Sequence, residues 1–214
     1  MKRLLVATVA VAFLSSTAWA GLAVTGPNQD PKGQPITDIT GSGSMLRQGP
    51  ICDFNVAGIA SWDLVGDPDN VVVVLDLAAC VGLPSGTPIV MNGIGWDVNL
   101  SAFGGSWLSE LRVYFDDNIA PDLTGLFLRP GAGNNAPGTA SFSNPVIKLV
   151  DVAIPDIPLP NGLLRMEFHE SFDDVPNAID GQWNSGVLRI QVPEPATMSL
   201  LGLGAFALLR RRRA

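Results

Sequence analysis

Between residues 51 and 192 the chain carries short apolar or alternating runs separated by turn-formers: Ile51–Ile59, Val71–Leu77, Ile89–Leu100, Trp107–Phe115, Gly125–Leu128, Val146–Val150, Leu163–His169 and Val187–Val192. Runs of this length, bounded by Asp, Asn, Gly and Pro, predict about eight strands, and no amphipathic helix competes with them. In Trp107–Phe115 the residues Trp107, Leu111, Val113 and Phe115 fall on one face, expected to be core, while Glu110, Arg112 and Tyr114 fall on the other. In Leu163–Glu170 the pattern points Leu164, Met166 and Phe168 inward and Arg165, Glu167 and His169 toward solvent. Val71–Leu75 lacks alternation and suits a strand buried on both faces. The pattern predicts an all-β fold, an antiparallel β-sandwich of jelly-roll-like type over residues 51–192. Residues 21–50, rich in Gly, Pro, Ser, Thr and Asp from residue 26 onward, read as a flexible leader. No repeat at solenoid or propeller periods is evident.

The two ends carry a different pattern. Lys2 and Arg3 precede the apolar stretch Leu4–Leu14, and Ala18-Trp19-Ala20 places small residues at both positions of an A-x-A cleavage site. Residues 1–20 therefore read as a secretory signal peptide cleaved after Ala20; the alternative, an uncleaved anchor, has to work with an apolar stretch shorter than a spanning helix. At the other end Pro193-Glu194-Pro195 is followed by the apolar run Ala196–Leu209 and by Arg210, Arg211, Arg212 and Arg213. Prolines break the chain before the run, and arginines after it stay on the cytoplasmic side, so residues 21–192 would lie outside. A helix over residues 196–209 would span about 21 Å, short of the ~30 Å hydrocarbon core, which suits transient membrane insertion better than a permanent anchor. A plain C-terminal anchor stays open, but gives the Pro-Glu-Pro no role.

This tripartite tail, residues 193–214, resembles the PEP-CTERM sorting signal of bacterial exported proteins. The resemblance covers the tail alone. It implies export across the inner membrane, processing by a membrane enzyme of the exosortase family, and a destination at the cell surface or beyond, often alongside exopolysaccharide and biofilm production. A GPI signal has no terminal arginine cluster, and the Leu-Pro-x-Thr-Gly motif of sortase substrates is absent.

Without its two ends the chain is strongly acidic: residues 21–192 hold 7 Lys and Arg against 19 Asp and Glu, a net charge of −12. Such a field disfavours phosphate backbones and argues against nucleic acid as a partner. Cys52 and Cys80 are an even pair in an oxidising compartment, so a disulfide is expected, with two buried free thiols as the alternative.

Candidate chemistry is sparse. Neither G-x-S-x-G, H-E-x-x-H nor a Walker loop occurs, and the single histidine, His169, is expected on a solvent face. Paired carboxylates for glycosidase chemistry could come from Glu110, Glu167 and Glu170, although alternation sets Glu167 and Glu170 on opposite faces. The acidic turns Asp116-Asp117 with Asp122, and Asp173-Asp174 with Asp180, offer oxygens for a hard cation such as Ca2+, with Asp173, Asp174 and Asp180 the candidate ligands; plain turn aspartates are the simpler reading. No other cofactor is implied. Among the tryptophans, Trp107 is expected in the core, whereas Trp183, in the polar stretch 180–186, is the candidate exposed ring for binding a sugar.

The segments Leu164–Glu170, Phe172-Asp173-Asp174, Asp180-Gly181-Gln182-Trp183 and Val187–Ile190 are similar to the closing strands of secreted jelly-roll accessory domains, which supports the fold and carries no activity over. The sequence thus points to a non-enzymatic exported surface or matrix protein. A secreted carbohydrate-binding module is the alternative, with an acidic glycosidase third.

Overall fold

A computed structural model of the chain describes residues 34–36, 49–122, 125–174 and 178–194. In chain order the strands are β1 Gln34–Ile36, β2 Ile51–Asn55, β3 Ile59–Ser61, β4 Val71–Asp76, β5 Ile89–Met91, β6 Gly93–Ala102, β7 Leu111–Asp117, β8 Leu126–Leu128, β9 Gly138–Lys148, β10 Ile157–Leu159, β11 Leu163–Glu170 and β12 Gly181–Gln191. Among the described residues the helical content is one four-residue turn, α1 Leu77–Cys80, and a 3-10 turn at Leu149–Val152. The described fold is therefore all-β, as the alternation predicts.

One sheet runs β1-β8-β7-β11-β4 and another β2-β12-β6-β9, with β3 also on β12; β5 and β10 form a separate ladder. Every pairing is antiparallel except β1 with β8. The two larger sheets share one apolar cluster. Phe168 of β11 lies between Phe54 of β2, ring centroids 6.3 Å apart, and Trp183 of β12, which it meets edge-on at 5.2 Å. Leu164, Met166 and Phe168, with Leu111, Val113 and Phe115, form the core faces of their strands, as their spacing predicts.

Several expectations need correction. β4 is an edge strand bonded only to β11, so five of its six residues are half-buried and Val72 alone is buried. The run Ile51–Ile59 divides into β2 and β3 around a turn at Gly58. The last strand begins at Gly181, six residues before the expected Val187, and Trp183 is consequently wholly buried. Trp107 lies in a turn ahead of β7, whose first residue is Leu111, and is 42% exposed.

β12 accommodates its length by a register shift between Trp183 and Ser185. Gly186, at φ +119°, sits just beyond it, where a Cβ would run into the Asp97 carbonyl; only glycine fits. Cys52 on β2 and Cys80 in α1 are joined by a disulfide with Cα atoms 6.1 Å apart, which ties an edge of one sheet to the segment that follows the edge strand of the other. Closing this loop stabilises the fold by about 3 to 4 kcal/mol through the unfolded chain. Replacing both cysteines by serine should lower the unfolding free energy by roughly that amount in urea melts, and an unchanged midpoint would contradict it.

Candidate functional site

β11 explains why the acidic residues gather where they do. Its inner face supplies core, but its outer face is covered rather than solvated: Arg165, Glu167 and His169 are all buried. The cover is the loop between β3 and β4, residues 62–70. Glu167 accepts hydrogen bonds from the Gly66 N–H and from Asn70 Nδ2, and is ion-paired with Arg165. Asn70 also donates to the Leu64 carbonyl at 2.7 Å and accepts from the Asp63 N–H at 3.1 Å. Val65 drops from the loop into a small apolar cluster with Tyr114 and Phe127, and the Arg112 guanidinium lies 5.0 Å over the Phe127 ring. His169, expected in solvent, is sealed beneath this layer, its Nδ1 2.7 Å from the Glu170 carbonyl.

The loop delivers acids to one end of the fold. The Glu170 N–H donates to the Asp63 carbonyl and the Asp180 N–H to the Ser61 carbonyl, so the end of β11 and the start of β12 flank residues 61–63. Ser171 N–H donates to the Glu110 carbonyl, which brings the turn before β7 alongside. Burial pushes the Asp63 carboxyl up to about 6, with the charges of Asp67, Asp173, Asp180 and Asp69 adding to the effect. Burial also drives Glu170 well above the usual carboxylate range; Asp180 and Glu110 reinforce the shift, while the Ser61 hydroxyl and Arg112 oppose it. Glu110 is raised by burial, less the effect of the Trp107 N–H, which donates to its Oε2 at 2.7 Å.

The candidate ligands Asp173, Asp174 and Asp180 do not form a three-oxygen set among the described residues. Asp180 is buried, and its Oδ2 accepts from the Asp174 N–H at 3.0 Å. The set that does converge is Asp63, Asp67 and Asp69, one carboxylate oxygen from each lying within 4.8 Å of the others. Sequence reading missed it, although Asp63-x-x-x-Asp67-x-Asp69 with Gly66 and Pro68 between is a turn rich in oxygen donors. The other acidic turn lines a cavity of about 660 Å3 with Ile154 and Ile157. There Asp116 is committed to hydrogen bonds from the Tyr114 hydroxyl and the Asp117 and Asp122 N–H groups.

Of the glycosidase candidates, Glu110 lies near enough to Glu170 for its charge to act on it, while Glu167 stands apart on the outer face of β11. Glu167 is locked by its three partners, and Glu170 is fully buried at the strand end. Trp183, the expected exposed ring, is core; among the described residues the exposed large rings are Phe103, Trp107 and Phe172, at 42%, 42% and 60%.

The C-terminal signal begins where the fold stops. Val192 is buried and its N–H donates to the Pro50 carbonyl, while Pro193 and Glu194 are exposed. Pro195, the run 196–209, Arg210, Arg211, Arg212 and Arg213 lie outside the described residues, as do Ala18 and Ala20. Residues 191–213 match the family model for the PEP-CTERM protein-sorting motif. The tail carries that motif. The PEP-CTERM motif implies an exported protein of the cell envelope or surface that is processed by an exosortase-type enzyme. Neither a curated protein nor a solved structure matches the chain. No helix among the described residues is long and apolar enough to cross a membrane.

The raised carboxyls set the pH dependence. Folded Asp63 holds its proton up to about 6, whereas unfolded it releases it near 3.8, so folding takes up protons in between. Glu110 and Glu170 shift in the same direction. Their contribution is complete below the unfolded values and is lost as pH rises through the folded ones. In metal-free buffer the melting temperature should fall from about pH 4 to about pH 7, and a rise across that window in thermal melts would contradict the assignment.

Proposed function

We propose that the protein is a non-enzymatic, exported cell-surface or extracellular-matrix protein. In this reading residues 51–192 form a jelly-roll-like β-sandwich, residues 1–20 a cleaved signal peptide, and residues 193–214 a sorting signal that is inserted transiently in the membrane. The observation that carries it is the placement of the PEP-CTERM match: the motif starts at the last residues of β12, and its Pro193 and Glu194 are exposed directly after buried Val192. A processing enzyme at the membrane can thus reach the motif while the domain stays folded. The sandwich reading is supported by the Phe54–Phe168–Trp183 contact between sheets. The non-enzymatic reading is supported by the engagement of Glu167 in loop fastening and the burial of His169. Exopolysaccharide is the proposed environment, by way of the sorting pathway.

A second reading, carbohydrate binding, moves from Trp183 to Trp107. Trp107, Phe103 and Phe172 are exposed on loops that backbone hydrogen bonds hold together beside Glu110. Rings beside a carboxylate suit stacking on a sugar face with hydrogen bonds to its hydroxyls.

Two experiments test these readings. In a host with an exosortase, Pro193-Glu194-Pro195 changed to Ala-Ala-Ala should accumulate as an uncleaved membrane-bound form, whereas neutral residues at Arg210–Arg213 should weaken retention and release unprocessed protein. Processing of the triple-alanine variant like the parent would make the tail an ordinary anchor. On a glycan array, specific binding lost in Trp107→Ala would favour the second reading, and silence of the parent would remove it.

A further inference from the structure

We propose that Asp63, Asp67 and Asp69 form the core of a binding site for a hard divalent cation of the Ca2+ class, on the loop that joins β3 to β4. This goes beyond the sorting reading and is independent of it. Oxygens that share one Ca2+ at 2.3–2.6 Å can be at most about 5 Å apart. One oxygen from each of the three aspartates lies within 4.8 Å of the others.

Acidic turns are common on soluble surfaces, so proximity alone would say little. The distinguishing observation is Asp63. The residue is 7% exposed and its carboxylate receives no hydrogen bond from any described residue, although buried carboxylates are ordinarily satisfied by several. Every charged group that acts on it is another aspartate: Asp67 and Asp69 on its own loop, Asp173 and Asp180 on the segment between β11 and β12. A bound cation supplies the missing partner. Glu170, immediately behind, is also fully buried and neighbours Asp180 and Glu110, with only the Ser61 hydroxyl and the more distant charge of Arg112 to offset them. The same end of the fold thus holds two buried carboxylates with more acids than donors around them, which is an arrangement for a positive ion rather than for water-exposed turns.

The site is held in place from below. Asn70 and Glu167 fix the loop through the Asp63 and Gly66 N–H groups and the Leu64 carbonyl, without using the side chains of Asp63 or Asp69. Asp67 gives one oxygen to the Asp69 N–H at 2.9 Å and keeps the other. Asp173, whose Oδ1 is buried without a hydrogen-bond partner, is a further donor of suitable chemistry, and water completes the six to eight oxygens that Ca2+ takes. Mg2+ demands a tighter octahedron and gives up its water reluctantly, so three carboxylates on a turn favour the larger ion.

The test uses the full-length chain in detergent, stripped with a chelator and titrated with CaCl2 by calorimetry, alongside thermal melts. One Ca2+ should bind per chain, with a rise in melting temperature that grows with Ca2+ concentration and is smaller with MgCl2. Asp67→Asn and Asp69→Asn alter partly and fully exposed positions, so both variants should fold. Each should weaken Ca2+ affinity at least ~10-fold, while its chelated melt stays at or above that of the parent as repulsion at Asp63 is relieved. Absence of saturable heat and of any melt shift in the parent at millimolar Ca2+ would overturn the proposal. So would parent-like affinity in the Asp67→Asn/Asp69→Asn double variant, because the ion would then sit elsewhere.

Discussion

The buried carboxylate of Glu167 is the constraint on which the outer half of this structure depends. A charge in that position is tolerable only if donors surround it, and the three it has come from two places: Arg165 on its own strand, Gly66 and Asn70 on the loop above. Satisfying Glu167 therefore fastens residues 62–70 across the first sheet. Once the loop is down, Arg165 and His169 are buried, Val65 reaches Tyr114 and Phe127, and Asp63 is drawn out of water beside other acids. Loss of the Glu167 carboxylate would strand a buried arginine, a change that costs about 3 to 5 kcal/mol where it has been measured. The acidic end of the molecule is in this sense a by-product of how one strand face is covered.

A separate division of labour runs along the chain. The body is acidic, at −12 over residues 21–192, whereas the extreme ends are basic. The negative charge of the body is thus segregated along the sequence from the positive charge of the two ends. The boundary between the two regimes is the single step from buried Val192 to exposed Pro193.

The tail was fully legible because a linear signal depends on order and spacing, with no folding in between. Strand identity and the core faces of β7 and β11 were legible too, since a period of two assigns Leu111, Val113, Phe115, Leu164, Met166 and Phe168 directly. Alternation names a face but is silent on what covers it, so Arg165, Glu167 and His169 were sent to solvent when a loop lay over them. The tryptophans exchanged roles for local reasons. Trp107 is held in a turn by mutual hydrogen bonds with Glu110, four residues ahead of Leu111, where pairing begins. Trp183 sits in a polar stretch that looks like a turn, yet β3 and β6 on either side recruit that stretch into β12, and only one of its faces needs to be apolar. The Asp63, Asp67 and Asp69 set was invisible for the same kind of reason: which acids are buried is decided by Glu167, more than ninety positions away.

The place of β12 in its sheet has a consequence for timing. It lies between β2 and β6 and also pairs with β3, and it brings Trp183 into the shared core. The second sheet has no continuous ladder until this strand, the last of the domain, is available. In a chain threaded outward from its N-terminus, the first sheet is complete once β11 arrives, but β2 and β3 wait apart from the β6–β9 pair until β12 joins them. Closure of the second sheet and emergence of the sorting motif then become one moment, because Pro193 follows two residues after the final paired position. A sheet that is completed only as the motif itself emerges presents that motif already attached to a finished fold.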